Sequence, residues 1–144
     1  MALIQRQHSF SVRTTQGVGL YDFTQEVRSW IWDQGLGTGQ VVLFCQHTSA
    51  SLIIQENADP DVQVDLLNFF RRLVADGPDG YVHTLEGPDD MPAHIKSALT
   101  ASQLTVPINA GRLMLGNWQG IYLFEHRTAP HTRSIVCHFL GEGM

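Results

Sequence analysis

The sequence predicts an α+β fold, an antiparallel β-sandwich of about seven strands with roughly three helices on its outside. Three observations carry this reading. Short apolar or alternating runs recur along the whole chain, three stretches place apolar residues at helical spacing, and helices do not alternate regularly with strands. The last point argues against a doubly wound parallel sheet. At 144 residues the chain has the size of one domain, 1–144, and can bury a core without staples.

The elements follow in order. Leu3 to Arg13 alternates imperfectly, Phe10 and Val12 on one face, and reads as a half-buried strand. Thr14 to Gly19 is a turn-rich connector. Asp22 caps a helix over about Phe23 to Asp33, whose apolar face is Phe23, Val27, Trp30 and Ile31. Gly35, Gly37 and Gly39 end it, and because a strand follows them they form no phosphate loop. Val41 to Cys45 is a continuous apolar run, hence a fully buried strand. Small hydroxylic residues join it to a second one, Leu52-Ile53-Ile54.

Asp59-Pro60-Asp61 is a strong helix start, with a cap, a proline at the first helical position and an acid at the positive end of the dipole. Val62, Leu66, Phe69, Phe70 and Leu73 then form one core face. A third helix is expected from about Pro92 to Ala101. Strands follow over Leu104–Ile108, with Pro107 marking an edge or bulge, Leu113–Leu115, Asn117–Glu125 and Thr132–Leu140.

Composition narrows the function. A formal net charge of -5 and the absence of any basic run exclude a nucleic-acid groove. No stretch approaches the roughly 18 apolar residues of a membrane span. The N-terminus lacks the long apolar core of a secretory segment, so a cytoplasmic protein with buried, reduced Cys45 and Cys137 is expected. Charged residues make up only 16% of the chain, which leaves neutral surface suited to a partner subunit.

Seven histidines are the compositional outlier. Two of them, His83 and His94, lie in Tyr81–Ser97 with Glu86, Asp89, Asp90 and the only lysine, Lys96. Two histidines with a nearby carboxylate can seat a zinc-like ion and leave a position open, although the spacing matches no standard metal motif. The alternative is a polar surface loop followed by an aspartate cap. Placed in a first helical turn, His94 is expected to stay neutral against the dipole, as a metal ligand must. His47 ends a buried strand, and Thr48, Ser49 and Ser51 beside it are small donors for a phosphate or carboxylate, or a hydroxyl-stabilised turn. Glu56 and Glu125 are lone acids at the ends of apolar strands. Each is a candidate general acid or base, or the partner of an arginine, for which Arg127 or Arg133 would serve Glu125. His126 and His131 flank a turn that binds an anion or forms a solvated rim. Trp118, between two glycines, is expected at an interface or pocket wall.

With these residues in view the chain resembles the secondary thiamine-phosphate synthase, or YjbQ-like, family over nearly its whole length. The resemblance rests on His47-Thr48-Ser49-Ala50-Ser51-Leu52, Glu56-Asn57-Ala58-Asp59-Pro60, Tyr81-Val82-His83, Ala93-His94-Ile95-Lys96-Ser97 and Gly116-Asn117-Trp118-Gln119. It implies a homotrimer with a histidine-lined metal or anion site near the subunit boundary. The implied ligands are His47, His83 and His94, holding a divalent ion, zinc or magnesium. Glu56 and Glu125 are implied as acid–base groups, and Thr48, Ser49, Asn57 and Gln119 as contacts to a small phosphorylated metabolite. The implied activity joins a pyrimidine pyrophosphate to a thiazole phosphate and releases pyrophosphate. A metal- or metabolite-binding trimer without turnover is the alternative. Asp89 and Asp90 are left with supporting or capping roles, and Gly87–His94 departs from the shorter tract of many relatives, which leaves open which aspartate takes the family position.

Overall fold

The computed structural model describes residues 2–144. In chain order the elements are β1 (Leu3–Arg13), β2 (Gly19–Asp22), α1 (Thr24–Asp33), β3 (Leu36–Cys45), β4 (Ala50–Glu56), α2 (Pro60–Leu73), α3 (Asp90–Leu99), β5 (Gln103–Asn109), β6 (Arg112–Leu113), β7 (Gln119–Glu125) and β8 (Thr132–Gly143). A five-stranded sheet runs β1-β8-β3-β5-β6 and a three-stranded sheet runs β2-β7-β4, with antiparallel pairing throughout. This is the predicted class. The added strand is β2, whose four residues Gly-Leu-Tyr-Asp are too few to show a period.

The core lies between the sheets. From the larger sheet come Val41, Leu43, Cys45, Ile135, Cys137 and Phe139, from the smaller Leu52, Ile121 and Leu123, and α1 closes one side with Val27 and Ile31. Along β8 alternate residues are buried, so a single face of a central strand supplies this packing. Phe139 is fully enclosed, and its truncation to alanine would cost about 3–5 kcal/mol. Cys45 and Cys137 are buried and unpaired with each other. Burial pushes the Cys137 thiol up to about 12, which leaves it inert.

Four sequence expectations change. First, β3 is not buried on both faces. It starts at Leu36, passes through two of the glycines, and leaves Phe44 46% exposed because no helix covers that side. Gly35 alone ends α1, in the left-handed region at φ 63, while a side chain at Gly39 would meet the Leu140 carbonyl of β8 at 2.2 Å. Second, α2 has the predicted start, with Asp59 Oδ1 accepting from the Asp61 N–H at 2.9 Å, but none of its residues is buried. Phe70 packs edge-on to Phe124, whereas Phe69 and Leu73 of the expected core face are about half exposed. Third, Trp118 is exposed on its own chain, which narrows the expectation of an interface or pocket wall to the former. Fourth, α3 begins at Asp90, two residues before Pro92, and Pro92 is accommodated in the first turn, where no intrahelical N–H bond is lost. Pro107 sits in β5 just before the two residues that β6 covers, an edge position. No described helix is long and apolar enough to cross a membrane.

Candidate metal centre

The early start of α3 decides the site. Asp90 is its first residue and His94 lies four further on, so both project from one face of the helix. The loop before α3 brings His83 to the same point. His83 Nε2 is 2.7 Å and His94 Nε2 3.1 Å from the same oxygen, Asp90 Oδ2. One donor atom from each of the three lies within 4.8 Å of the others. The carboxylate is buried, while the His83 ring is 46% exposed, which leaves an approach from solvent.

The surroundings fix these groups. Asp90 Oδ1 receives Arg127 Nη1 at 2.9 Å. Burial alone would raise the Asp90 carboxyl, but the His83 hydrogen bond and the Arg127 charge hold it below its ordinary value. Of the supporting and capping roles read for Asp89 from the sequence, it makes no side-chain cap to the helix. Its Oδ2 instead accepts from Arg127 Nε at 3.0 Å, the Thr128 N–H at 2.9 Å and the Thr128 hydroxyl at 3.1 Å. Burial opposes its ionisation, yet these bonds hold it at about 2. Arg127 also donates to the Glu86 carbonyl, so the His83 loop is stapled to the turn after β7.

His94 Nδ1 faces the Thr48 carbonyl at 3.0 Å, and a carbonyl can only accept. The Nδ1 proton is thereby assigned, and Nε2 faces a carboxylate oxygen across a gap that a ring proton or a bound cation must fill. Because α3 starts at Asp90, His94 lies beyond the first turn that the sequence assigned to it.

His47 stands beside this centre without joining it. Its Nε2 accepts the Ser134 N–H at 2.8 Å, which places the proton on Nδ1, and Arg133 Nη1 lies 3.4 Å from that nitrogen. Two donors therefore converge. Burial, and then the Arg133 charge, keep His47 below its ordinary pKa, consistent with the neutral ring. His47, Thr48 and His94 line one cleft of about 370 Å³.

Glu125 is fully buried. Its oxygens accept from the Thr14 hydroxyl, from the His126 and Arg127 N–H groups, and from both Nε and Nη2 of Arg133. With its lone pairs occupied, Glu125 positions Arg133, which also donates Nη2 to the Ser49 hydroxyl at 2.9 Å. Glu56, Asn57 and Gln119 lie elsewhere. In the β4–β7 register Ala50 faces Glu125 and Glu56 faces Gln119. Six residues of strand separate those ends by about 20 Å. Glu56 Oε2 accepts from the Asp59 N–H, Asn57 is exposed, and Gln119 Oε1 accepts from the Gly116 N–H. Of the two other histidines, His131 is bonded to the Ala129 carbonyl and His126 is buried. The contributions of Asp90 and Arg127 were missed in the sequence. The Asp90–His94 interval of four was the available signal, hidden by the expectation that the helix starts at Pro92.

Fold and site together define a two-sheet antiparallel α+β protein with a carboxylate and two histidines gathered at the start of one helix. Comparison with known proteins gives the same answer more finely. The family model described as UPF0047 protein YjbQ-like matches residues 8–142. A UPF0047 protein of Synechocystis is 51% identical over 138 residues, covering 95% of this chain and 94% of that one. The UPF0047 protein YjbQ of Escherichia coli is 42% identical over 125 residues, covering 86% and 90%. A crystal structure from Aeropyrum pernix superposes with a TM-score of 0.86 at 30% identity, covering 95% of this chain and 99% of that one. The chain belongs to the YjbQ/UPF0047 family.

Proposed function

We propose that this chain holds a divalent cation on His83, Asp90 and His94 and uses the adjoining cleft to act on a small phosphorylated metabolite. The observation that carries the reading is the convergence of His83 Nε2 and His94 Nε2 on one buried oxygen, Asp90 Oδ2, with His94 held from its other side by the Thr48 carbonyl. Two imidazoles with one carboxylate suit zinc better than magnesium, which favours oxygen ligands. When bound, the ion would neutralise phosphate charge and stabilise a departing pyrophosphate. Arg127 orients the carboxylate, and Thr48 fixes the His94 tautomer. The convergent donors on His47 and Arg133, with Thr48 at the cleft, supply hydrogen bonds to phosphate oxygens, and Glu125 and Ser49 keep Arg133 in place.

The reaction proposed is thiamine-phosphate synthesis, in which the thiazole nitrogen bonds to the pyrimidine methylene carbon as pyrophosphate leaves. The assembly proposed is a homotrimer. Its support in this chain is the exposed apolar surface at Phe69, Leu73, Val82, Leu85 and Trp118. Glu56, Asn57 and Gln119 would reach the cleft only from a neighbouring subunit.

Metal analysis of wild type, His83→Ala and His94→Ala, beside an assay of thiamine phosphate with and without chelator, tests the proposal. Wild type should carry metal and form product that chelation abolishes, and both variants should lose the ion. Equal metal in all three proteins would overturn the ligand assignment. Metal without turnover would leave a binding protein.

A further inference from the structure

A second cavity, of about 330 Å³, shares no lining residue with the metal centre or its cleft. Lys96 and His126 line it, together with Phe70, Phe124 and Arg71. Lys96 is only 6% exposed. Its ammonium makes no hydrogen bond among the described residues, and no described carboxylate lies within ion-pairing distance of it. Asp76 also lines the cavity but does not pair with it. The side chain is thus mostly covered while its charge is left without an ion pair at the cavity.

His126 is 1% exposed, and its Nδ1 is the one buried side-chain nitrogen or oxygen among the described residues that lacks a hydrogen-bond partner. The other ring nitrogen lies 2.9 Å from the Ser51 hydroxyl, and the Thr100 hydroxyl lies 2.6 Å from Ser51 and 2.9 Å from the Lys96 carbonyl. In either tautomer Nδ1 is a buried polar atom with nothing to pair with, which is costly. An unpaired buried nitrogen and a cation without an ion pair therefore border one aromatic-walled space.

We infer that this cavity binds a small flat organic anion, with its carboxylate or phosphate on Lys96 and Arg71, its ring against Phe70 and Phe124, and a hydrogen bond from His126 Nδ1 in the ring tautomer that carries its proton there. The two aromatic rings are in edge contact at 5.2 Å and give the ligand body an apolar wall, while Lys96 and Arg71 outweigh Asp76 in charge. The site is independent of the metal centre and does not rest on the reading of that centre.

Phenyl phosphate and benzoate serve as probes, titrated calorimetrically into the full-length protein with its metal content left in place and followed by the nitrogen shifts of the His126 ring. At least one probe should bind and move the His126 Nδ1 signal. Lys96→Met should weaken binding by about tenfold or more, as expected for loss of a charged hydrogen bond. Arg71→Gln, which leaves the core untouched, should weaken it severalfold, so the expectation stays testable if Lys96→Met fails to fold. His83→Ala should leave it unchanged. Binding of neither probe at millimolar concentration would overturn the inference. So would binding that ignores Lys96 and Arg71, or that disappears with His83.

Discussion

His94 turns Nε2 toward Asp90 Oδ2 at 3.1 Å while its Nδ1 is held by the Thr48 carbonyl at 3.0 Å. A helix-borne carboxylate and a helix-borne imidazole thus meet at hydrogen-bond distance, and a backbone carbonyl from outside the helix prevents the ring from turning away. The neighbouring aspartate has a different task, since Asp89 is saturated by Arg127 and Thr128.

The two aspartates should therefore separate cleanly under mutation. Asp90→Asn should lower zinc affinity by more than about 100-fold, beyond the loss expected for a merely supporting contact. Asp89→Asn should keep zinc affinity within about tenfold but lower the melting temperature. The Asp89 carboxyl is held at about 2, below its ordinary 3.8, so its contribution is complete above the ordinary value and is lost as pH falls toward 2. Calorimetric zinc titration and melting at neutral and acid pH check both statements.

Glu125 and Arg133 form a buried pair, and removing one partner strands the other. Glu125→Gln or Arg133→Met should each cost about 3–5 kcal/mol in urea unfolding. The combined variant should cost less than the sum of the two, because the stranded charge is gone. Additive losses would show that the pair is not a single unit.

His126 should govern stability in mild acid. Burial, with the charges of Lys96 and Arg133, lowers its pKa from 6.5 to about 3. Between those values the unfolded chain takes up a proton that the folded chain refuses, so stability falls as pH drops from 6.5 toward 3 and is unaffected above that window. The contribution is on the order of 5 kcal/mol. In His126→Gln, acid unfolding curves should lose most of this slope.

The proposed trimer is testable at the His83 loop, where Val82 and Leu85 are fully exposed. Sedimentation of wild type should give three times 16.1 kDa, and Val82→Glu with Leu85→Glu should shift it toward the monomer. Trimers made by co-expressing Glu56→Gln and His83→Ala chains should recover about a quarter of wild-type activity if each site takes one residue from either side of a boundary. No recovery would rule out a site shared across a boundary, and about half of wild-type activity would place Glu56 outside the site.

The amino-acid sequence alone determined the class of fold and most of its elements. Alternation along Thr132–Leu140 marked a strand with one buried face, and Asp59-Pro60-Asp61 marked a helix start, because side-chain period and capping chemistry act over a few residues. It also singled out His83 and His94 and linked Glu125 to an arginine. What it misplaced were boundaries and burial. The start of α3 shifted by two residues and made Asp90 the shared partner, and α2 kept its apolar face in solvent. Periodicity reports which residues share a face, but not what covers that face.

Only the tertiary structure decided the membership of each polar cluster. Thr48 and His94 are 46 residues apart, His126 and Ser51 75, and Arg133 and His47 86. Each contact depends on strand register and on the packing of α3 against β4, long-range properties that no local spacing encodes. The same register carried Glu56 to the far end of the sheet from Glu125. Residue chemistry was therefore legible in the chain, and its assembly into a candidate metal centre and a separate lysine–histidine cavity was fixed by topology.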